Sequence, residues 1–334
     1  MQIKDIPKNL LIYNSGGGIG DSIQIMQFIE AIKNELIDTD LYYLSAHNNH
    51  FNSSLKDFNC HIRTLDLDIR YFGFRWWHAL VAKNKLLKKN IKCFDLIIDL
   101  QSKIRNTLIL KTIPHKYFIS SSFNFKLSKP YISIKKEKKN HITILNSLNQ
   151  LMGKKIKFGE FNLNKIDKKF FIESERLLPK NNYVGFSITQ GNIYRKKEWP
   201  LEKITQICKF FQKKNKTPVF LIEKSNTDLK NKIEKLIPGA LFPEHNSKIA
   251  SPALVTCLAK KLDFVITIDN GIMHMLSLGK VPMISLFGPT DSEKFAPYYE
   301  NSIILDSKKI YNSKNVSDIT VEDVIMAAEQ LVNF

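Results

Sequence analysis

Short apolar runs alternate with segments of helical period along most of the chain, the pattern of α/β units that feed a parallel sheet. In the first half, residues 10–13 read as a strand that runs into a glycine turn, Ser15 to Gly20. The helix expected after it carries Ile25, Phe28, Ile29, Ile32 and Leu36 on one face. Further strands are expected at 41–45, 61–65, 94–100 and 116–120, and a helix over 142–152. The lysine-rich segment 127–141 has no period and reads as a solvated loop. The second half repeats the scheme, with strands at 183–187, 219–222, 264–268 and 283–287 and helices near 201–212, 226–236, 252–261 and 272–278. A last helix over 320–332 places Val321, Val324, Ile325, Ala328 and Leu331 on one face.

Charge is dense and apolar period weak over 155–180, where the linker between the halves is expected. The predicted divisions are an N-terminal domain over 1–165, a second domain over 166–318 and a terminal helix over 319–334. Two similar α/β halves imply a cleft between them, where ligands of such folds bind.

A chain of 334 residues is long enough for two cores, and 43% hydrophobic with 25% charged residues excludes wholesale disorder and fibrous repeats. No run approaches the ~18 apolar residues of a membrane span. The opening residues lack the apolar stretch and cleavage site of a signal peptide, so a cytoplasmic location is expected. Cys60, Cys93, Cys208 and Cys257 stand singly, without a CxxC pair, and are expected to be small buried hydrophobes in a reducing compartment; no metal site is expected.

The net charge is +18, yet only six of the 50 basic residues are arginine. Two readings stand open: a compositional bias towards Lys, Ile and Asn, or a surface suited to polyanions and an anionic membrane leaflet.

Three segments carry candidate chemistry. The turn from Asn14 to Asp21 follows a strand and opens a helix, and so presents backbone N–H groups at the positive end of a helix dipole. It is not the dinucleotide fingerprint, whose third glycine would fall at Asp21, and no Gly-Lys-Ser/Thr follows as in a P-loop. Two roles are open to Asp21: a helix cap, or a general base. In the second segment, Asp269-Asn270-Gly271 turns from a strand into a helix, His274 lies one turn on, and Gly288-Pro289-Thr290 ends the next strand. Both turns belong to the carboxyl edge of a sheet and suit a diphosphate cradle; there is no metal triad and no Ser-His-Asp spacing. The third segment, 70–83, is aromatic and basic. It reads either as an amphipathic helix with its aromatics in the core or as a surface for a lipid headgroup or acidic sugar.

Taken together, the Gly20-Asp21 turn, the segment FDLIIDLQSKIR (94–105), Lys197-Glu198-Trp199-Pro200 and IDNGIMHMLSLGKVPMISLFGPTD resemble glycosyltransferase family 9, the ADP-heptose:lipopolysaccharide heptosyltransferases. The resemblance runs in the family's order from residue 14 to about 297. It implies a GT-B fold, with two Rossmann-like domains facing each other across a cleft and the last helix crossing back to the first. It also implies a metal-independent, inverting transfer without a cofactor, from ADP-heptose to a lipid-linked or oligosaccharide acceptor of the lipopolysaccharide core type. Asp21 would be the catalytic base and Lys197 would meet the donor phosphates, with Lys196 and Arg195 as neighbouring alternatives.

The same resemblance assigns donor binding to Gly18, Gly20, Thr189, Gln190 and Lys196, and to Asp269, Asn270, Gly271, His274 and Thr290. Candidate acceptor contacts are Arg70, Arg75, Gln101 and Arg105; Asp99 either lines that side or holds a loop. Trp199-Pro200 are expected to open the next helix. Two departures stand out. The family has Ser or Thr where this chain has Asn270, and residues 223–228 lack the family's glycines, so Asp228 is offered as the acidic nucleoside contact.

The nearest alternative keeps the fold with another nucleotide-sugar and a non-core glycan or protein acceptor. A second is a non-catalytic basic protein that binds nucleotides or nucleic acid. No nucleic-acid partner is expected, because RNA-binding aromatic, helix-turn-helix and zinc signatures are all missing from the sequence. Peripheral contact with the inner membrane surface is compatible with the charge.

Overall fold

Strand runs that are apolar at every position need cover on both faces, and parallel sheets flanked by helices supply it. The computed structural model describes residues 3, 5–14, 17–46, 49–69, 71–191 and 193–332. Among them, ten strands form two five-stranded sheets, parallel throughout, and the chain divides into two units after Phe161. The first unit holds β1 (Asn9–Asn14), β2 (Asp40–Ser45), β3 (Arg63–Thr64), β4 (Phe94–Asp99) and β5 (His115–Ser120). Its helices are α1 (Ile19–Gln24), α2 (Met26–Glu35), α3 (His78–Lys88), α4 (Ile104–Leu110) and α5 (Asn140–Met152). The second unit holds β6 (Tyr183–Ser187), β7 (Thr217–Phe220), β8 (Phe264–Ile268), β9 (Met283–Phe287) and β10 (Ser302–Asp306). Its helices are α6 (Lys168–Leu177), α7 (Leu201–Lys213), α8 (Thr227–Leu236), α9 (Pro252–Leu258), α10 (Gly271–Leu278), α11 (Ser292–Phe295), α12 (Ser307–Tyr311) and α13 (Val321–Leu331).

The strand orders are β3-β2-β1-β4-β5 and β10-β9-β8-β6-β7. In the first sheet the order reverses between β1 and β4, in the second between β6 and β8. At such a switch point the connections leave in opposite directions and open a crevice at the carboxyl ends of the two strands. The glycine turn follows β1 and the Asp269 turn follows β8, so the topology puts each motif at the switch point of its own sheet.

The expected apolar stripe of the first helix is buried at Ile25, Phe28, Ile29, Ile32 and Leu36, but the helix begins earlier and breaks at Ile25 into α1 and α2. The strand expected at 61–65 shrinks to two residues. His61 lies in the left-handed region at φ 44°, which no strand accommodates, and Arg63 faces solvent at the sheet edge. Several elements lie outside the expected pattern: the edge strand β10, only half-buried, α6, inside the stretch expected as linker, and the short helices α4, α11 and α12. The lysine-rich segment forms no helix or strand up to Asn140.

The last helix starts with a capping box, Thr320 Oγ1 accepting from the Asp323 N–H at 3.0 Å and Asp323 Oδ2 from the Thr320 N–H at 2.8 Å. Its buried face (Val321, Val324, Ala327, Ala328) lies in the core of the second unit, against α7, β9 and β10. Cys60, Cys208 and Cys257 are buried and Cys93 half-buried, all as free thiols. Among the described residues, no helix is long and apolar enough to cross a membrane.

Candidate functional site

In the second unit the site grows from the ends of β6 and β8. After Ile268 the chain turns through Asp269 and Asn270 into α10, six of whose eight residues are buried. Gly279, just past the helix, permits close packing on α9: a Cβ there would meet the Ala259 Cβ at 2.6 Å. The helix start is therefore fixed by its core contacts. Asn270 caps it, its Oδ1 accepting from the Met273 N–H at 2.9 Å. Its amide donates to Ser187 Oγ at 2.7 Å and to the Thr189 carbonyl at 2.9 Å, tying the end of β8 to the end of β6. The Asn270 side chain is thus both a cap and a strap.

Lys197 reaches the same point from the loop after β6. Its ammonium donates to Asp269 Oδ2 at 2.5 Å and to the Asp269 carbonyl at 2.9 Å, and both side chains are nearly buried. An ammonium has three hydrogens; two are spent on Asp269 and one remains. The loop is held in place by Gln190, whose Oε1 accepts from the Lys197 N–H at 2.9 Å while its amide donates to Glu198 at 2.7 Å. Trp199 is buried, its indole N–H on the Ile319 carbonyl at 3.0 Å, and Pro200 opens α7.

Thr290, after β9, is buried at the same sheet edge, and its hydroxyl has no partner among the described residues. Its carbonyl accepts from Lys308 Nζ at 3.0 Å. Close packing explains Gly288 beside it, since a Cβ would fall 2.7 Å from the Lys314 carbonyl oxygen. His274 is buried in the first turns of α10. Lys196 is exposed with φ 46°, and Asp228 is exposed in the first turn of α8.

In the first unit Asp21 is the third residue of α1 and half-buried, and its Oδ2 accepts from the Gly18 N–H at 3.4 Å. The capping role is therefore real, and the carboxylate keeps accepting capacity beyond that one bond. Gly20 is buried within α1, while Ser15 and Gly16 of the turn lie outside the described residues. Asn14, at the end of β1, donates to the Asp21 carbonyl at 3.3 Å and accepts from Gln101 Nε2 at 2.7 Å, so Gln101 supports the turn that carries Asp21.

Asp99 holds a loop. It is fully buried, with Oδ1 accepting from the Gln101 and Ser102 N–H groups and Oδ2 from Thr107 and Ser120, at 2.5 to 3.1 Å. Burial raises its carboxyl above the ordinary range against the pull of those bonds. Arg105 and Arg75 are exposed, their guanidinium groups 4.2 Å over Phe74 and 5.5 Å over Trp77. Arg70 lies outside the described residues. A cavity of about 860 Å³ sits at the opposite, amino edge of the first sheet, among Asp40, Asp95 and Lys116, and holds none of the candidate residues.

A family model described as glycosyltransferase family 9 (heptosyltransferase) matches residues 84–325. The chain belongs to that family. Lipopolysaccharide heptosyltransferase 1 of Campylobacter coli is 22% identical over 284 residues, covering 76% of this chain and 83% of that protein. Among solved structures, the glycosyl transferase family 9 protein of Veillonella parvula superposes with a TM-score of 0.71 at 18% identity over 99% of both chains. The E. coli heptosyltransferase WaaC with ADP gives 0.68 at 14% identity, over 97% of this chain and 100% of that one. The architecture is GT-B, two Rossmann-like units, and this member of family 9 is a glycosyltransferase.

Within the second unit of this family 9 chain, the structure brings together Lys197, Asp269, Asn270, Thr189 and Gln190. One group went unnoticed in the sequence. Glu244 follows Leu241, which bridges in parallel to β7, and is buried, its Oε2 without a partner among the described residues. Burial and the nearby Glu223 carboxylate push its carboxyl up to about 7. A Pro-Glu-His triplet in a loop carries no local mark of burial, so pattern reading passes over it.

Proposed function

We propose that this glycosyltransferase moves heptose from ADP-heptose to a lipopolysaccharide core acceptor, with inversion and without a metal ion or other cofactor. The acceptor hydroxyl oxygen bonds to the anomeric carbon while the bond from that carbon to the diphosphate oxygen breaks. The hydroxyl proton goes to the Asp21 carboxylate, and the electron pair leaves with ADP. In this reading the growing diphosphate charge is met by the third N–H of Lys197, by the Thr290 hydroxyl and by the leading N–H groups of α10, which have no intrahelical partner. Arg75, Arg105 and Gln101 serve the acceptor side, and the reaction runs in the cytoplasm.

The observation that carries the reading is the Lys197 ammonium, clamped by Asp269 at the β6/β8 switch point with one hydrogen to spare. The C. coli relative's name supports the sugar and the acceptor class, and the ADP of the WaaC structure supports the nucleotide.

Thermal shift with ADP, UDP, GDP and CDP, followed by turnover of ADP-heptose with a core acceptor, tests the proposal. Stabilisation by ADP alone, unchanged by chelator, and chelator-resistant transfer are expected. A ligand at ~100 times its dissociation constant stabilises by about 2.7 kcal/mol, well within reach of the assay. A shift with UDP or GDP in place of ADP would overturn the donor, and loss of turnover in chelator would overturn the metal-independent mechanism.

A further inference from the structure

The helix α3 is built the wrong way round for one that only faces water. At 3.6 residues per turn, His78, Ala82 and Leu86 share the inner face and are buried. The opposite face should carry the polar residues. It carries Trp76, Leu80 and Leu87, which are 73%, 61% and 52% exposed, with Trp77 beside them. Trp76 and Trp77 belong to the hydrogen-bonded turn that leads into the helix, since the Ala79 and Leu80 N–H groups donate to their carbonyls. The core-packing reading of the aromatics therefore holds for Phe72, which is buried, and fails for both tryptophans.

The polar residues sit on the flanks instead. Lys83 falls on one side of the apolar ridge and Lys88 on the other, both exposed, with Arg75 over the Trp77 ring. No Asp or Glu occurs between Asp68 and Asp95. The neighbouring α4, packed against α3, leaves Ile104 and Leu108 exposed as well. An apolar ridge with tryptophans, rimmed by lysines whose stems can lie along apolar surface while their heads stay in water, fits an anionic lipid surface.

We propose that the outward ridge of α3, with the Trp76-Trp77 turn, is the face through which this protein rests on an anionic bilayer: Trp76, Leu80 and Leu87 enter the headgroup boundary, and Lys83 and Lys88 meet lipid phosphates. A second copy of the chain is the poorer occupant. A two-fold contact would set this face against itself and press cationic rims together without an acidic partner on the ridge. The proposal goes beyond the transfer reaction and does not depend on which sugar is moved.

The test is binding of the full chain to phosphatidylcholine vesicles with and without an equal part of phosphatidylglycerol, read by co-sedimentation and by tryptophan quenching with brominated acyl chains. Binding that needs the anionic lipid, with quenching lost in Trp76→Phe/Trp77→Phe, is expected. Trp76→Ser/Leu80→Ser should lower partitioning at least tenfold with an unchanged melting temperature. Lys83→Gln/Lys88→Gln should lower it about fivefold per lysine at low salt. The charge-matched Lys213→Gln/Lys214→Gln, in the other unit, should leave binding near wild type.

Equal losses from both lysine pairs would reduce the effect to net charge and overturn the docking face. So would absence of binding at low salt, or a dimer that Trp76→Ser/Leu80→Ser dissociates without any vesicle binding. Vesicle binding uses neither donor nor acceptor, so it can fail while turnover of a soluble acceptor stands, and the reverse.

Discussion

The Lys197 ammonium lies 2.5 Å from the Asp269 carboxylate, with the two side chains only 12% and 9% exposed. A pair this deep is costly to break on one side, because the survivor is left charged and poorly hydrated. Lys197→Met should therefore destabilise the second unit by about 3–5 kcal/mol, and Lys197→Met/Asp269→Asn should recover most of that in a urea melt. ADP affinity should not recover with it, since the double variant restores the packing but not the cation. Recovery of both would make the lysine a structural partner of Asp269 and nothing more.

Asp21 has two roles that one substitution separates. As a cap it accepts from the Gly18 N–H, and its loss should cost about 1 kcal/mol of stability. As the base it should matter far more to rate: Asp21→Ala is expected to lower kcat by roughly 10²–10⁴-fold with ADP binding unchanged. A variant with a lowered melting temperature and wild-type kcat would leave only the cap.

How far these sites could be read from the chain follows from where their causes lie. Strands 183–187, 264–268 and 283–287 coincide with β6, β8 and β9, because central parallel strands are buried on both faces and read as unbroken apolar runs. The edge strand β10 is covered less and gives a weaker signal. In α6 only Phe170 and Ser174 are buried among charged neighbours, so the helix passes for linker. The Asp269 turn is visible because a strand, a turn and a helix follow one another locally. What Asn270 ties together is not, since Ser187 and Thr189 lie more than eighty positions away. The exposure of Trp76 and Trp77 is likewise a fact of tertiary packing, against the usual habit of tryptophan.

Thr290 offers a different separation. Its buried hydroxyl has no partner among the described residues, so removing it should cost the unliganded protein nothing. Thr290→Val is expected to leave unfolding within ~0.5 kcal/mol of wild type, or to stabilise slightly. If the hydroxyl serves the diphosphate, ADP should bind roughly tenfold more weakly, as one lost hydrogen bond to a charged group implies. Calorimetric titration that finds equal affinity for both proteins would take Thr290 out of the site.

Glu244 gives the fold a pH signature. Its carboxyl titrates near 7 when folded, raised from 4.5 by burial and by Glu223, while His245, Lys224 and Lys230 surround the same loop. The folded state thus holds a proton that the unfolded chain has already released above pH 4.5. The associated stability is complete below that pH and lost as pH rises through about 7, an integrated change on the order of 3 kcal/mol. Glu173, lowered to about 2 by Arg176 and Ser247, contributes with the opposite sign, and in a separate window below pH 4.5. Glu244→Gln should therefore be closest to wild type near pH 4.5 and progressively more stable than it up to pH 8. Urea melts at several pH values read this as a difference between the two proteins, so other titrations cancel. A constant offset across that range would mean that Glu244 does not carry the proton.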